Sequence, residues 1–426
     1  MRLHRLALAV CIGALALGPA ACGDDDEGGS AGTGTSGGGG GETVSIYSSL
    51  PLQGASKDQT AAMVNGIELA LEEAGNKAGD IAVNYESLDD STAQAGNWDP
   101  GQTAQNARKV AQDDDAVGYI GEFNSGASAI SIPILNEAMV PQVSPANTYV
   151  GLTTDEPGSE EGEPAKFYPT GERHYLRIVP RDTIQSAAVL TVMKQDGCTK
   201  VAIANDKETY GAGLARLMEI QSEDIGVDIV ANEGIDKAAP NFRSFAQSMR
   251  SEGADCFFFS GVTANGAVQI TKDVAAAIPD AKLYGPDGVC ESGFTNPKSN
   301  GIPKSIADRF KCTVATLDLE SYPGGQEFLS AYQDRFGADE NPDPYAIYGY
   351  EAMKLFIDTI AGLGEDGTDK AAILDALMAT RDRDSALGTY SFDDNGDTTL
   401  TDYGVYEVGP DGNPQFADAI EAQTAQ

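Results

Sequence analysis

Ser125 stands where the apolar run 117–120 gives way to a helical pattern, so its hydroxyl and the neighbouring backbone N–H groups can hold a carboxylate at the positive end of a helix. Ala146 and Thr148 come just after the next apolar run, where a main-chain carbonyl and a hydroxyl can meet an ammonium and a carboxylate. Each has a plainer reading: Ser125 as a helix cap, Thr148 as a turn hydroxyl, and Asp287, inside Pro286-Asp287-Gly288, as a turn residue. Taken together, such groups bind a zwitterion rather than turn it over. An enzyme needs a nucleophile with a positioned base, and beyond His4 the only histidine is His174, in a polar segment. A carboxylate base keeps an extracellular amide hydrolase open as the rival. Gly28-Gly29-Ser30-Ala31-Gly32 matches the nucleophile-elbow pattern, yet its surroundings form neither the strand nor the helix that an elbow requires.

The chain of 426 residues is long enough for two domains, and its 41% hydrophobic content is globular. At the start, Arg2 and Arg5 precede an apolar run of about twelve residues, against the about 20 a membrane span needs, which suits a signal-peptide core over residues 1–21. Pro19-Ala20-Ala21-Cys22 resembles a bacterial lipobox, with Pro19 in place of the usual Leu. Cys22 is then the lipidated mature N-terminus, simple secretion being the alternative. The Asp-, Gly- and Ser-rich residues up to 41 form a tether with a reach of roughly 25 Å. A net charge of −37 repels nucleic acid and anionic headgroups, so no nucleic-acid partner is expected and the membrane is met only through the anchor. The acidity reads first as the solubility of a secreted protein and more weakly as a preference for a basic ligand. Of six cysteines, Cys198, Cys256, Cys290 and Cys312 lie in the body, an even set that favours disulfides outside the cytoplasm. Without a Cys-x-x-Cys pair or a second body histidine, no metal is expected, and no cofactor.

The elements that must position these residues alternate in a steady rhythm. Strands at 43–48, 81–87, 117–120 and 141–144 are separated by helical patterns: Met63, Ile67, Ala70, Leu71 and Ala74 share one face, Ala104, Ala107, Val110 and Ala111 another, and Ile130 and Ile134 point inward on a third. Residues 153–171 break the rhythm and read as a long surface loop. Helices near Ala188, Leu214, 242–252 and 267–278 then alternate with strands at 200–204, 227–231, 256–260 and 282–285, and one strand and three helices follow Cys312. Two strands from Tyr390 and Tyr403 flank Asn395-Gly396, a hairpin signal with a solvated tip. Successive β-α units of this kind predict parallel sheets covered on both faces.

Several of these stretches together resemble the branched-chain amino acid type of ABC-transporter substrate-binding proteins, the type I periplasmic fold: Asn65-Gly66-Ile67, Asn124-Ser125-Gly126, Val143-Ser144-Pro145-Ala146-Asn147-Thr148, Asn205-Asp206-Lys207-Glu208-Thr209-Tyr210-Gly211, Gly285-Pro286-Asp287-Gly288 and Tyr390-Ser391-Phe392-Asp393. The likeness runs from Thr43 to the C-terminus. It implies an α/β fold of two Rossmann-like lobes with parallel sheets, joined by three crossovers around a ligand cleft. The first lobe takes residues 42–178 and 312–384, the second 179–311 and 385–426. Ligand groups sit on loops at the carboxyl ends of strands: Asn124, Ser125, Ala146 and Thr148, with Asp287 on the α-ammonium, one methylene shorter than the Glu of many relatives. Tyr210 and Tyr345 wall the cleft; Gln59, where relatives often carry an aromatic residue, and Thr263 complete the set. The implied role is an extracytoplasmic solute-binding lipoprotein, a monomer without catalysis, that captures a small zwitterion such as an amino acid and delivers it to an ABC importer permease. A sensor of the same fold, or a ligand that is an amide, urea or aromatic acid, are the alternatives. Within such a second lobe Cys198 and Cys256 precede neighbouring strands and are expected to pair, as are Cys290 and Cys312, which flank a Gly- and Pro-containing excursion.

Overall fold

The computed structural model describes residues 42–337 and 342–422, so the signal segment, Cys22 and the tether lie outside the described residues. Its first sheet is built from β1 (Thr43–Leu50), β2 (Lys77–Ala78), β3 (Ile81–Asp89), β4 (Ala116–Gly121), β5 (Gln142–Ser144) and β6 (Tyr175–Arg177), in the order β2-β3-β1-β4-β5-β6. All neighbours are parallel except the β2–β3 pair. β4 is buried along its whole length, which is why it reads as an unbroken small and apolar run rather than an alternating one. Helices α1 (Lys57–Glu73), α2 (Pro100–Ala111) and α3 (Ser125–Glu137) connect these strands. α2 begins with an Asp99 cap on the N–H groups of Gly101 and Gln102 and with Pro100 in its first turn.

The second sheet runs β8-β7-β9-β10-β11-β12-β13, with β7 (Lys200–Asn205), β8 (Asp228–Gly234), β9 (Cys256–Ser260), β10 (Lys282–Gly285), β11 (Phe310–Val314), β12 (Tyr403–Val408) and β13 (Pro414–Ile420). The first five are mutually parallel and the last two antiparallel. It is served by α4 (Asp182–Gln195), α5 (Thr209–Ile225), α6 (Arg243–Glu252) and α7 (Ala267–Ala277). After β11 the chain returns to the first sheet's side as α8 (Gly325–Phe336), α9 (Ala346–Leu363) and α10 (Lys370–Met378), with α9 lying along α1. Two glycines allow that approach: a Cβ on Gly66 would stand 2.1 Å from the carbonyl oxygen of Ala346, and one on Gly349 would stand 2.3 Å from that of Met63. Disulfides join Cys198 to Cys256, across neighbouring β7 and β9, and Cys290 to Cys312.

Residues 153–171 are the expected surface loop, irregular apart from a 3-10 turn at Ala165–Phe167, and it is pinned where Phe167 and Tyr168 are buried with Leu152 and where Tyr149 donates to the buried Glu163. Two sequence expectations are corrected. In α3 Ile130 and Ile134 are only half-buried, and Ile132 and Leu135 face the core instead. The strands beginning at Tyr390 and Tyr403 do not form one hairpin, since Arg383–Ser385 pairs with Gly388–Tyr390 and β12 with β13. The segment between them docks on β6, where Arg177 bonds Asp397 at 2.6 Å and both side chains are buried. A charge at a turn sequence looks solvated; here a buried cation draws it in.

Candidate ligand-binding site

After β4 the chain runs through Phe123 and Asn124 into α3. Asn124 is the N-cap residue, but its side chain makes no capping bond and its Oδ1 is buried without a partner among the described residues. Ser125 is the first residue inside the helix, so the capping alternative does not describe it. The helix start, with its first-turn N–H groups and the positive end of the dipole, is therefore left without a side-chain cap. The loop after β5 is fixed beside it. Ser144 Oγ donates to the carbonyl of Glu122 (2.9 Å) and accepts from the N–H groups of Ala146 (3.2 Å) and Asn147 (2.9 Å), while Asn147 Nδ2 donates to Phe123 O (2.8 Å). Ala146 and Thr148 are both buried there.

Across from these loops, Asp287 opens a short 3-10 turn after β10. Its carboxylate accepts from Tyr345 Oη (3.0 Å), Gln185 Nε2 (3.1 Å), the Gly288 N–H (2.9 Å) and the Tyr210 hydroxyl. Burial pushes its carboxyl above the ordinary range, and these donors oppose the shift. Asp182, at the start of α4, is fully buried, and neither of its carboxylate oxygens has a partner among the described residues. Burial, reinforced by Asp287, pushes it well up. Arg177 is nearby, but its guanidinium is committed to Asp397, Asn147 O and Tyr149 O.

Asn124, Ser125, Ala146, Thr148, Tyr210, Asp287 and Tyr345 line one cavity of about 30 Å³, completed by Phe123, Val262 and Gly288. That is a narrow slot with room for about a water or two, well below the volume of an open small-molecule site, with donors at one end and a buried acid at the other. Gln59 and Thr263 are not among its lining residues. Gln59 lines a second, larger cavity, and the Thr263 hydroxyl reaches Gly288 O at 3.4 Å, behind the pocket wall. His174 is elsewhere, buried against Asn136 Nδ2 (2.9 Å), and burial pushes its pKa down to about 3. Among the described residues the one acid and cysteine cluster with metal-like spacing is Cys198, Asp255 and Cys256, whose two sulfurs are joined to each other.

The model of the family described as periplasmic binding protein matches residues 43–413. The chain belongs to the periplasmic binding protein family. Its fold is the two-lobed α/β fold of substrate-binding proteins, and the family's place is outside the cytoplasm. An amino acid binding protein of Pseudomonas aeruginosa is 25% identical over 72% of this chain and 76% of its own. The leucine-, isoleucine-, valine-, threonine- and alanine-binding protein of the same organism is 24% identical over 86% and 90%. Among solved structures, a leucine binding protein from Thermotoga maritima superposes with a TM-score of 0.73 at 21% identity, over 88% of this chain and 98% of that one. A Rhodopseudomonas palustris ABC-transporter solute binding protein in complex with p-hydroxybenzoic acid gives 0.71 at 19% identity, over 90% and 98%. These relatives are solute-binding proteins, and the chain is one by family rather than an enzyme.

Asp182 and Gln185 are the site residues that the sequence reading passed over. An acid at a helix start is ordinarily explained by the dipole alone, and nothing local marks Gln185 as the residue that reaches Asp287 from one turn further into α4.

Proposed function

We propose that this periplasmic binding protein captures an α-amino acid between its lobes and delivers it to the membrane permease of an ABC importer. The observation that carries this reading is the opposition, within one small cavity, of an uncapped helix start at Ser125 and the buried acid Asp287. A carboxylate at the helix start gains N–H donors and the dipole. An ammonium at Asp287 supplies the positive charge that a buried carboxylate otherwise lacks, and Asp182 adds a second acid near the same end. The printed names of the amino acid binding relatives support the same ligand class. An aromatic acid without an amine, like the p-hydroxybenzoic acid of the Rhodopseudomonas relative, fits this cavity less well because it brings no positive charge to offset the repulsion between Asp182 and Asp287. Lipidation at Cys22 completes the reading by keeping the protein beside its permease; a sensor would use the same pocket and differ in partner.

A thermal-shift screen of L-amino acids, amides, urea and benzoates tests it, since a ligand that binds the folded state stabilises it by RT ln(1 + [L]/Kd). At least one L-amino acid is expected to raise the midpoint and to titrate at one per chain without product. A ligand set consisting only of compounds that lack an amine overturns the reading. Mass spectrometry of protein purified from its own cells addresses the anchor: an unmodified mature N-terminus would contradict lipidation.

A further inference from the structure

The ladder between β10 and β11 ends at Gly285, opposite Cys312 and two residues before Asp287. The turn that follows is closed by its own backbone, with the Val289 N–H on Pro286 O at 3.1 Å and the Cys290 N–H on Asp287 O at 2.9 Å. Cys290, the residue on which that turn ends, is bonded to Cys312 on β11. A covalent link therefore takes over where the hydrogen bonds of the sheet stop. A second tie runs the same way: Gln185 Nε2, from α4, donates to Asp287 Oδ1 at 3.1 Å and to Thr313 O, next to Cys312, at 3.2 Å. Both ties refer the position of the carboxylate to the end of β11.

A disulfide can simply staple the chain it encloses, and the excursion between Cys290 and Cys312 is such a chain. That excursion has anchors of its own. Phe294 and Ile302 are fully buried, and Phe294 packs on Phe310 with ring centroids 4.9 Å apart. The Ile302 N–H donates to Phe294 O at 2.7 Å, and Thr295 Oγ1 donates to Gly412 O at 2.8 Å. The other disulfide supplies the contrast. Cys256 opens β9 while the pocket residue Val262 follows that strand's far end, so roughly 13 Å of strand separates Cys198–Cys256 from the cleft loops.

We infer that the Cys290–Cys312 disulfide is a positioning element of ligand recognition, fixing the Asp287 turn on the end of β11, so that affinity as well as stability depends on it. Neither cysteine lines the pocket; both act through Asp287. Read as affinity, the effect rests on the amino-acid reading of that pocket. Binding groups have to be held within about 0.5 Å of their working geometry. Tyr345 Oη, Gln185 Nε2 and the Gly288 N–H mark the spot where this carboxylate must stand. A turn released from β11 carries the carboxylate off that spot, whereas opening Cys198–Cys256 leaves it in place.

Two paired variants of the intact protein test this, Cys290→Ala with Cys312→Ala and Cys198→Ala with Cys256→Ala, each compared with wild type well below its unfolding midpoint. The first readout needs no ligand. Hydrogen exchange at the amides of residues 288–290 is expected to speed up by about tenfold or more in the first pair and to keep the wild-type rate in the second. The second readout is calorimetric titration with the proteinogenic L-amino acids. The tightest binder of wild type is expected to lose about tenfold or more in affinity in the first pair and less than about threefold in the second, although both pairs lower the midpoint. Equal affinity in the two pairs, or unchanged exchange in the first, overturns the inference and leaves the amino-acid reading standing. If no L-amino acid binds wild type, that reading falls, and exchange alone decides whether the disulfide positions the turn. Should the alanine pair at 290 and 312 fail to fold, Cys290→Ser with Cys312→Ser replaces it; failure of both makes the bridge a staple of the whole fold and overturns the inference too.

Discussion

Tyr345 Oη donates to Asp287 Oδ2 at 3.0 Å, joining the residue before α9, which lies along α1 beside the first sheet, to the acid that follows β10 in the second sheet. The bond spans the two halves of the molecule, so it contributes to holding them together as well as to shaping the pocket. Tyr210 and Gln185 reach the same carboxylate from the second half. Asp287 is thus a hub whose removal affects ligand and closure at once.

Asp287→Ala is expected to weaken amino-acid binding by about 3 to 5 kcal/mol, the usual cost of leaving a buried charge unpaired, or roughly a hundredfold to several-thousandfold in Kd. Asp287→Asn, which keeps shape and loses charge, should do nearly as much harm. Ser125→Ala should cost only about 0.5 to 1.5 kcal/mol, because the backbone donors of α3 remain. Isothermal calorimetry with a ligand from the screen measures all three; wild-type affinity in Asp287→Ala would return Asp287 to a turn residue.

The disulfides close loops of 58 and 22 residues. Chain-entropy reasoning puts each at about 3 to 4 kcal/mol of stability. Reductant is therefore expected to lower the guanidinium midpoint of the intact protein. Non-reducing peptide mapping should find Cys198 with Cys256 and Cys290 with Cys312, and free thiols or crossed pairs would count against the assignment.

Much of this architecture was legible because parallel-sheet chemistry is local. An apolar run such as 117–120 followed by a small polar residue and a helical pattern marks a strand end facing a cleft, and seven expected residues do line one cavity. What stayed hidden depends on distant partners. Nothing near Asp397 announces Arg177, which comes 220 positions earlier. The single-hairpin reading of the last strands failed for the same reason: the turn signal at Asn395-Gly396 was real, but the strands beside it found other partners. Asp182 looks like an ordinary surface acid until burial and the loss of partners are seen. The placement of Gln59 in a separate cavity follows from the wall between the two cavities and from no feature of its own neighbourhood.

The buried pair of Arg177 and Asp397 ties the segment after Tyr390 to the end of β6, and Arg181 and Thr153 add further bonds to Asp397, at 3.2 Å and at 2.9 to 3.0 Å. Asp397→Ala leaves Arg177 buried with only neutral partners, the Asn147 and Tyr149 carbonyls and the Thr153 hydroxyl, and is expected to destabilise the fold by about 3 to 5 kcal/mol. The surface acid Asp394, a few residues away and fully exposed, should tolerate Ala within about 0.5 kcal/mol. Urea unfolding of the two variants makes the comparison, and equal midpoints would mean that the pair is not holding the segment.

A second pair of acids sets a pH dependence of stability. Asp90 and Glu122 are fully buried under the loop that leads to Ser125; Glu122 Oε1 accepts from Tyr119 Oη at 2.6 Å, whereas Glu122 Oε2 and both oxygens of Asp90 have no partner among the described residues. Burial raises both carboxyls, Glu122 to about 7, with Glu122 adding to the shift of Asp90 and the Tyr119, Asp90, Ser49 and Ser131 side chains opposing that of Glu122. The sign follows from proton counting. Below the unfolded value, near 4, these groups are neutral in both states and impose no penalty. Between about 4 and 7 the unfolded chain ionises while the folded one keeps its proton, so stability falls as pH rises and levels off once the folded group has ionised too. Glu122→Gln retains an acceptor for Tyr119 and removes one titration. It is expected to match wild type near pH 4 and to gain on it steadily up to about pH 7. Unfolding midpoints of both proteins across that range measure the gap, and a gap independent of pH would show that Glu122 does not hold its proton in the folded state.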